Sequence, residues 1–66
     1  MNIIVNGSTR DVPDNLSAGE LLGALGLGNK RLALEINEVI VPRSRFDSYR
    51  LKAGDRVEIV HAIGGG

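Results

Sequence analysis

The sequence offers few side chains with which a protein could carry out chemistry. Its 66 residues include one histidine, His61, and no cysteine, so neither a multi-histidine nor a cysteine-ligated metal site is available. It shows no acid–base pair or nucleophilic triad of the kind that marks an enzyme active site. The unusual group belongs to the backbone, because the sequence runs through three glycines, Gly64, Gly65 and Gly66, to a carboxylate.

A glycine tail can enter a narrow channel in another protein, because glycine has no Cβ and lets the backbone pass closely. Three or four extended residues reach about 10–13 Å. A carboxylate is ionised at neutral pH and is a poor electrophile, so chemistry on it requires activation. Adenylation by ATP in a partner enzyme, followed by displacement of AMP by a sulfur donor, would leave a thiocarboxylate. A frayed chain end, or glycines left over from cloning, is the alternative interpretation.

The composition excludes several classes of partner. Eight basic and eight acidic residues give a net charge of zero, so nothing draws the chain toward phosphate backbones. One Tyr and one Phe are too few for a base-stacking platform, and we expect no nucleic-acid partner. No apolar run approaches the roughly 20 residues of a membrane helix, and no leader peptide is visible. We therefore expect no membrane association and a cytoplasmic location.

The first half of the sequence predicts a hairpin and a helix. A strand over residues 1–6 ends in Asn6-Gly7, a strong hairpin signal, and a second strand over 9–12 stops before a proline. Ser17 and Glu20 have the spacing of a capping box, which predicts that a helix begins there. Gly26 or Gly28 is expected to end that helix in a left-handed conformation.

The second half predicts strands with little helix. Alternating apolar residues predict a strand over 32–37 with one buried face, and a short strand is expected over 39–41. Residues 43–47 are expected to form a helical turn that places Phe46 in the core, and residues 49–51 to pair briefly as an edge. The last strand is predicted over 56–61, after a glycine-containing turn.

These elements predict an α+β fold in which one sheet wraps around one helix. A hairpin followed by a single helix cannot bury both of its faces alone, so the economical arrangement is a mixed sheet of about four to five strands packed on that helix. This is the β-grasp, or ubiquitin-like, roll. We expect one domain over residues 1–63, followed by a flexible glycine tail over 64–66.

Several segments together resemble the ThiS family of sulfur carriers in thiamine biosynthesis, within the wider ubiquitin-like ThiS/MoaD family. The resemblance covers nearly the whole chain and includes the opening Ile3–Gly7 and the helical Glu20–Leu22. It is most specific in Leu34–Asn37 leading to Ile40–Arg43, and in Leu51–Val60 leading to the final glycines.

The resemblance implies a carrier that acts as a protein co-substrate and has no catalytic side chains or bound cofactor of its own. A ThiF-like enzyme would use ATP and magnesium to convert the Gly66 carboxylate to an acyl-adenylate. Sulfur supplied ultimately by a cysteine desulfurase, through a sulfur-transfer protein, would give the thiocarboxylate. The loaded carrier would donate that sulfur to the thiazole synthase ThiG, with Gly64 and Gly65 entering the active site of each partner.

Three residues are candidates for partner docking. Val60 and Ala62 alternate onto the outer face of the last strand, where exposed apolar groups would suit a partner that receives the tail. Arg43 is a third candidate, although a solvated arginine after Pro42 is the simpler interpretation. His61 shares the alternation of the buried residues, so we expect it to be partly buried and structural.

Three other functions remain open on the residues alone. The small subunit of molybdopterin synthase shares the expected fold and a Gly-Gly end, but it is typically longer. A ubiquitin-like modifier would form isopeptide conjugates through the same tail. A passive binding module would use its sheet or an edge strand and would not need the glycines.

Overall fold

The computed structural model describes residues 1–61, which form two hairpin-like strand pairs, one helix and a final strand. The elements are β1 (Asn2–Val5), β2 (Ser8–Asp11), α1 (Ala18–Ala24), β3 (Leu32–Ile36), β4 (Val39–Val41), a 3-10 turn (Arg43–Arg45) and β5 (Arg56–His61). Each predicted strand is present within about one residue of its expected limits. The edge pairing expected over 49–51 is reduced to a single bridge between Ser17 and Arg50.

The five strands form one mixed sheet in the order β2-β1-β5-β3-β4. β5 lies at its centre, parallel to β1 and antiparallel to β3, and both hairpin pairs are antiparallel. This topology confirms the predicted β-grasp fold. The predicted domain end at residue 63 and the tail over 64–66 lie outside the described residues and stay predictions.

The helix covers one face of the sheet, and the aliphatic core lies between them. Ala18, Leu21 and Leu22 of α1 are buried against inward-facing residues of the strands and against Phe46, which follows the 3-10 turn as predicted. The buried hydrophobic residues are Ile3, Val5, Ala18, Leu21, Leu22, Leu34, Ile36, Val41, Phe46, Leu51, Val57 and Ile59. The opposite face of the sheet, here called the outer face, carries Ile4, Ala33, Glu35, Ile40, Arg56, Glu58 and Val60, which alternate with the buried residues.

The helix begins at the predicted capping box. The Ser17 hydroxyl accepts a hydrogen bond from the Glu20 amide at 3.0 Å, and a Glu20 carboxylate oxygen accepts one from the Ser17 amide at 2.9 Å. Gly26, with φ of 75°, takes the left-handed position just after the helix. Seven residues are too few for an independent helix, so α1 depends on its packing against the sheet.

The capping box makes stability depend on pH in a defined direction. The hydrogen bonds that Glu20 makes with the backbone amide and side chain of Ser17 hold the pKa of this carboxyl below its ordinary value, with a smaller contribution from Arg50. A lowered folded-state pKa stabilises the fold above the unfolded-state pKa, and this contribution is lost as the pH falls through the folded-state pKa. Glu20→Gln should therefore lower the free energy of unfolding at neutral pH and have a shrinking effect in acid. Urea unfolding of the parent chain and the variant at several values from pH 7 to pH 2 measures this effect. A difference in the free energy of unfolding that does not change with pH would contradict the prediction.

Gly23 offers a site where helix propensity can be improved. It lies in α1, is exposed, and a Cβ built on it meets no heavy atom within 4 Å. Gly23→Ala should raise the free energy of unfolding by about 0.5–1 kcal/mol, because alanine restricts the unfolded chain and favours the helix. The matched control is Gly26→Ala, which also has open space but needs positive φ, and it should destabilise the fold by about 1–2 kcal/mol. Equal effects in urea unfolding would contradict this account.

Candidate functional site

The strand that leads to the glycine tail is the best-supported strand of the sheet. β5 pairs on one side with β1, through Ile4–Arg56 and Val5–Val57, and on the other with β3 over five residue pairs. The pairing with β3 extends to His61, the last described residue. β5 is therefore held by a neighbouring strand as far as residue 61.

Two turn asparagines hold β5 from opposite sides. Asn6 lies in the turn between β1 and β2 with φ of 48°, and its side-chain oxygen accepts a hydrogen bond from the Ile59 amide at 2.8 Å. Asn37 lies in the turn between β3 and β4 with φ of 54°, and its side-chain oxygen accepts one from the Arg56 amide at 3.0 Å. Asparagine suits both sites, since it tolerates positive φ and its amide can bond to nearby backbone.

A buried carboxylate joins the second of these contacts to the preceding turn. Asp55 is 8% exposed, and one of its oxygens accepts a hydrogen bond from the Asn37 side-chain amide at 3.0 Å. Its other oxygen accepts the Lys52 amide at 2.8 Å. Both oxygens are thus satisfied, and the carboxylate fixes the point at which β5 begins.

Sequence reasoning identified the turn at Asn6-Gly7 but did not give either asparagine a contact with β5. The available signal was the residue type, because asparagine is favoured at positive φ. The partner could not be read from the sequence, since Asn6 and Ile59 are 53 residues apart.

The structure places two of the predicted docking residues on different elements, Val60 on β5 and Arg43 in the 3-10 turn. Val60 lies on the outer face of β5 and is 55% exposed, as expected for a docking residue. Arg43 lies beyond the edge strand β4, where its guanidinium donates to the Lys30 carbonyl at 3.0 Å and lies 5.8 Å from the centre of the Phe46 ring. Arg43 is exposed but already engaged within the domain, and its role in docking stays a prediction.

Four further candidates, Ala62, Gly64, Gly65 and Gly66, lie outside the described residues, and their roles stay predictions. The expectation for His61 was wrong, since this residue is exposed. It pairs with Leu32 beyond Ile59, the last buried residue of β5. The alternation therefore continues past the end of the core, and the sequence pattern alone does not show where the core stops.

The outer face combines exposed apolar residues with carboxylates. Ile40 is 68% exposed and, with Val60, flanks Glu35 and Glu58, which lie directly opposite each other on β3 and β5. No group of three or more potential metal ligands occurs within residues 1–61. In the same part of the chain, no helix is both long enough and apolar enough to cross a membrane.

The sequence match to a known family extends over the tail as well as the sheet. Residues 3–66 match the sequence model of the ThiS family. The chain belongs to the ThiS family. Its fold is similar to the crystal structure of the thiamine biosynthesis protein ThiS from Geobacter metallireducens, with a TM-score of 0.87, 36% identity and full coverage of both chains. An NMR structure of a thiamine biosynthesis protein from the same organism has a TM-score of 0.78 and is 39% identical in sequence. That match covers all 66 residues of this chain and 88% of the Geobacter chain.

Curated relatives of this ThiS family member include much longer proteins. The thiazole synthase of Paramagnetospirillum magneticum is 38% identical over all 66 residues, which make up 20% of that protein. The thiazole synthase of Magnetococcus marinus is 33% identical with the same coverage. The chain thus spans about a fifth of the length of these two relatives. The uncharacterized protein ycf40 of Porphyra purpurea is 35% identical, and 93% of its length is covered. The family match and the similarity of fold therefore agree with each other.

The Asn6 contact can be tested separately from the turn conformation. Asn6→Gly keeps access to positive φ but removes the acceptor for the Ile59 amide, and it should lower the free energy of unfolding by about 0.5–1.5 kcal/mol. It should also speed hydrogen exchange of the Ile59 amide. The matched control is Asn15→Gly, because Asn15 has φ of 62° and makes no side-chain hydrogen bond within residues 1–61. Equal losses of stability in the two variants would contradict a stabilising role for the hydrogen bond between Asn6 and Ile59.

Proposed function

We propose that this chain is a sulfur carrier for the thiazole part of thiamine, with the carboxyl group of Gly66 as the sulfur-bearing site. The observation that carries the proposal is that one family match covers both the sheet and the glycines that follow it in the sequence. The central strand β5 is fixed by pairing up to His61, and the residues that follow it within the match are Ala62, Ile63 and the three glycines.

The proposed chemistry takes place in the active sites of partner enzymes. A carboxylate oxygen of Gly66 attacks the α-phosphorus of ATP, which gives an acyl-adenylate and releases pyrophosphate. The terminal sulfur of a persulfide on the sulfur donor then attacks the acyl carbon and displaces AMP, which gives an acyl disulfide. A second thiolate attacks the donor's sulfur in this S–S bond, so that the thiocarboxylate leaves and the donor is left in a disulfide. ATP and magnesium are used by the ThiF-like adenylating enzyme, and a cysteine desulfurase is the ultimate sulfur source.

The carrier supplies position, and its partners supply catalysis. Gly64 and Gly65 present no side chain, so the tail can follow a channel too narrow for other residues. The folded domain serves as the handle that each partner binds, and its own side chains take no part in bond breaking. We propose Val60 and Ala62 as contacts on this handle because they lie next to the start of the tail in the sequence.

Thiazole synthase is the proposed acceptor of the sulfur. Two relatives with this name contain, within one longer chain, a region similar to the whole of this sequence. When a carrier and its acceptor are joined in one chain, each is present at a high effective concentration near the other, and no new contact is needed. A carrier on a separate chain would instead need a surface that binds the acceptor.

Loading of Gly66 can be measured by intact mass. The purified chain is incubated with its ThiF-like enzyme, MgATP and a desulfurase with cysteine. A gain of about 16 Da is expected, because one carboxylate oxygen is replaced by sulfur. Addition of thiazole synthase and its other substrates should return the mass to its starting value as the sulfur is transferred.

The control is a variant that lacks Gly65 and Gly66. Its folded domain is unchanged through residue 61, so its circular dichroism should match that of the parent chain, and it should show no mass gain. No gain in the parent chain would overturn the carrier function. A gain that thiazole synthase does not reverse would overturn the choice of acceptor. High-mass conjugates on a denaturing gel would instead indicate a ubiquitin-like modifier.

A further inference from the structure

The turn between β1 and β2 contains a pair of residues that can react with each other. The asparagines of the sequence are Asn2, Asn6, Asn15, Asn29 and Asn37, and only Asn6 is followed by glycine. The side-chain amide carbon of an asparagine is an electrophile, and the backbone nitrogen of the next residue is a nucleophile that can attack it. Glycine exposes this nitrogen most, because it has no side chain beside it.

The structure leaves the nucleophile open and holds the electrophile. Asn6 and Gly7 are both exposed, and the Gly7 amide donates no hydrogen bond within residues 1–61. A Cβ built on Gly7 would meet no heavy atom within 4 Å. The Asn6 side-chain oxygen, in contrast, accepts a hydrogen bond from the Ile59 amide at 2.8 Å, and the Asn6 amide donates to the Val57 carbonyl at 2.8 Å.

The Asn6 side chain takes the place of a backbone carbonyl in the ladder between β1 and β5. In this parallel ladder the Ile4 amide donates to the Asp55 carbonyl, and the Asn6 amide donates to the Val57 carbonyl two residues further on. The next acceptor would be the backbone carbonyl of Asn6, but the chain turns there with φ of 48°. The side-chain oxygen accepts the Ile59 amide instead, so the amide group of Asn6 is fixed by β5.

We infer that Asn6 is a site of spontaneous deamidation, and that its contact with β5 slows the reaction in the folded chain. A base in the solvent removes the Gly7 amide proton, and the nitrogen attacks Cγ of Asn6 to form a new C–N bond. The bond between Cγ and Nδ2 breaks, and ammonia leaves after it takes up a proton. The product is a five-membered succinimide ring. Water then opens the ring, so the net change is gain of one water and loss of one ammonia, without oxidation or reduction.

The two products of ring opening differ in what remains of the contact with β5. When water attacks Cγ, the new bond breaks and Asn6 becomes an aspartate, whose carboxylate can still accept the Ile59 amide. When water attacks the backbone carbonyl carbon, the original peptide bond breaks and the chain runs through Cγ as isoaspartate. The former side-chain oxygen then belongs to the backbone of a two-residue turn that is one atom longer. We therefore expect only isoaspartate to release the Ile59 amide.

The test is to incubate the full chain at mildly alkaline pH, in native buffer and in denaturing urea. Intact mass should rise by about 1 Da, and peptide mapping should place the change at Asn6. In urea, Asn6 should react about tenfold or more faster than Asn37, because Glu38 shields the nitrogen that follows Asn37 and glycine does not. In native buffer, Asn6 should react about tenfold or more slowly than in urea, because its side chain must first leave the Ile59 amide.

Two matched variants test the role of the following residue in urea, where the fold has no influence. Gly7→Ala should slow the reaction at Asn6 by about tenfold. Glu38→Gly, at a position with φ of 69°, should raise the rate at Asn37 to about that at Asn6. No mass gain at Asn6 in urea would overturn the site, and so would equal rates at Asn6 and Asn37 in the parent chain.

A third variant tests the protection by β5. Val57 is buried at 1% exposure, so Val57→Ala should loosen β5 and raise both the native deamidation rate of Asn6 and the exchange rate of the Ile59 amide, in similar proportion. A native rate equal to that in urea, or one that Val57→Ala leaves unchanged, would overturn the protection.

The products themselves provide the last measurement. The isoaspartyl form, separated from the incubated chain, should exchange the Ile59 amide faster than the parent chain, and Asn6→Asp should not. Equal exchange in these two forms would contradict the expected difference between them. All of these measurements use this chain without a partner enzyme, so their outcome is independent of the mass gain expected on Gly66.

Discussion

The structure depends on the insertion of β5 between two hairpins that are otherwise separate parts of the sheet. β1–β2 and β3–β4 form from neighbouring segments, but they become one sheet only when the last strand pairs with β1 on one side and β3 on the other. The parallel pairing with β1 joins residues about fifty positions apart in sequence, so its loop-closure entropy must be offset by the core that it completes. Val57 and Ile59 of β5 provide that gain because they are buried against the helix side of the sheet.

A domain of 66 residues has little stability to spare, and this one has no cysteine with which to form a disulfide. Two turn asparagines add stability, because the side chain of each has two roles. Asn6 and Asn37 adopt the positive φ that tight turns require, and each also accepts a backbone hydrogen bond from β5. The turns that define the hairpins therefore also secure the strand between them.

The helix and the last strand define the two faces of the sheet. The strand that precedes residues 62–66 in the chain is the central one, β5. The core lies on the helix side, and no element within residues 1–61 covers the outer face.

The sequence by itself determined the local structure and the family. The capping box at Ser17 and Glu20, the Asn6-Gly7 turn and the strand over Arg56–His61 all follow from short-range patterns, because turn chemistry and side-chain alternation act over a few residues. The glycines, together with the internal segments, indicated the ThiS family, and the fold and the family match confirmed it.

Only the tertiary structure decided which segments meet. Alternation placed Glu35 and Glu58 on one face of their strands, but their direct pairing depends on a register between segments 23 residues apart. The same holds for the bond between Asn6 and Ile59, and for the exposure of His61, which the pattern predicted to be partly buried. Periodicity shows on which side of its own strand a residue lies. Its neighbour across the sheet, and the point at which the core ends, are set by long-range packing.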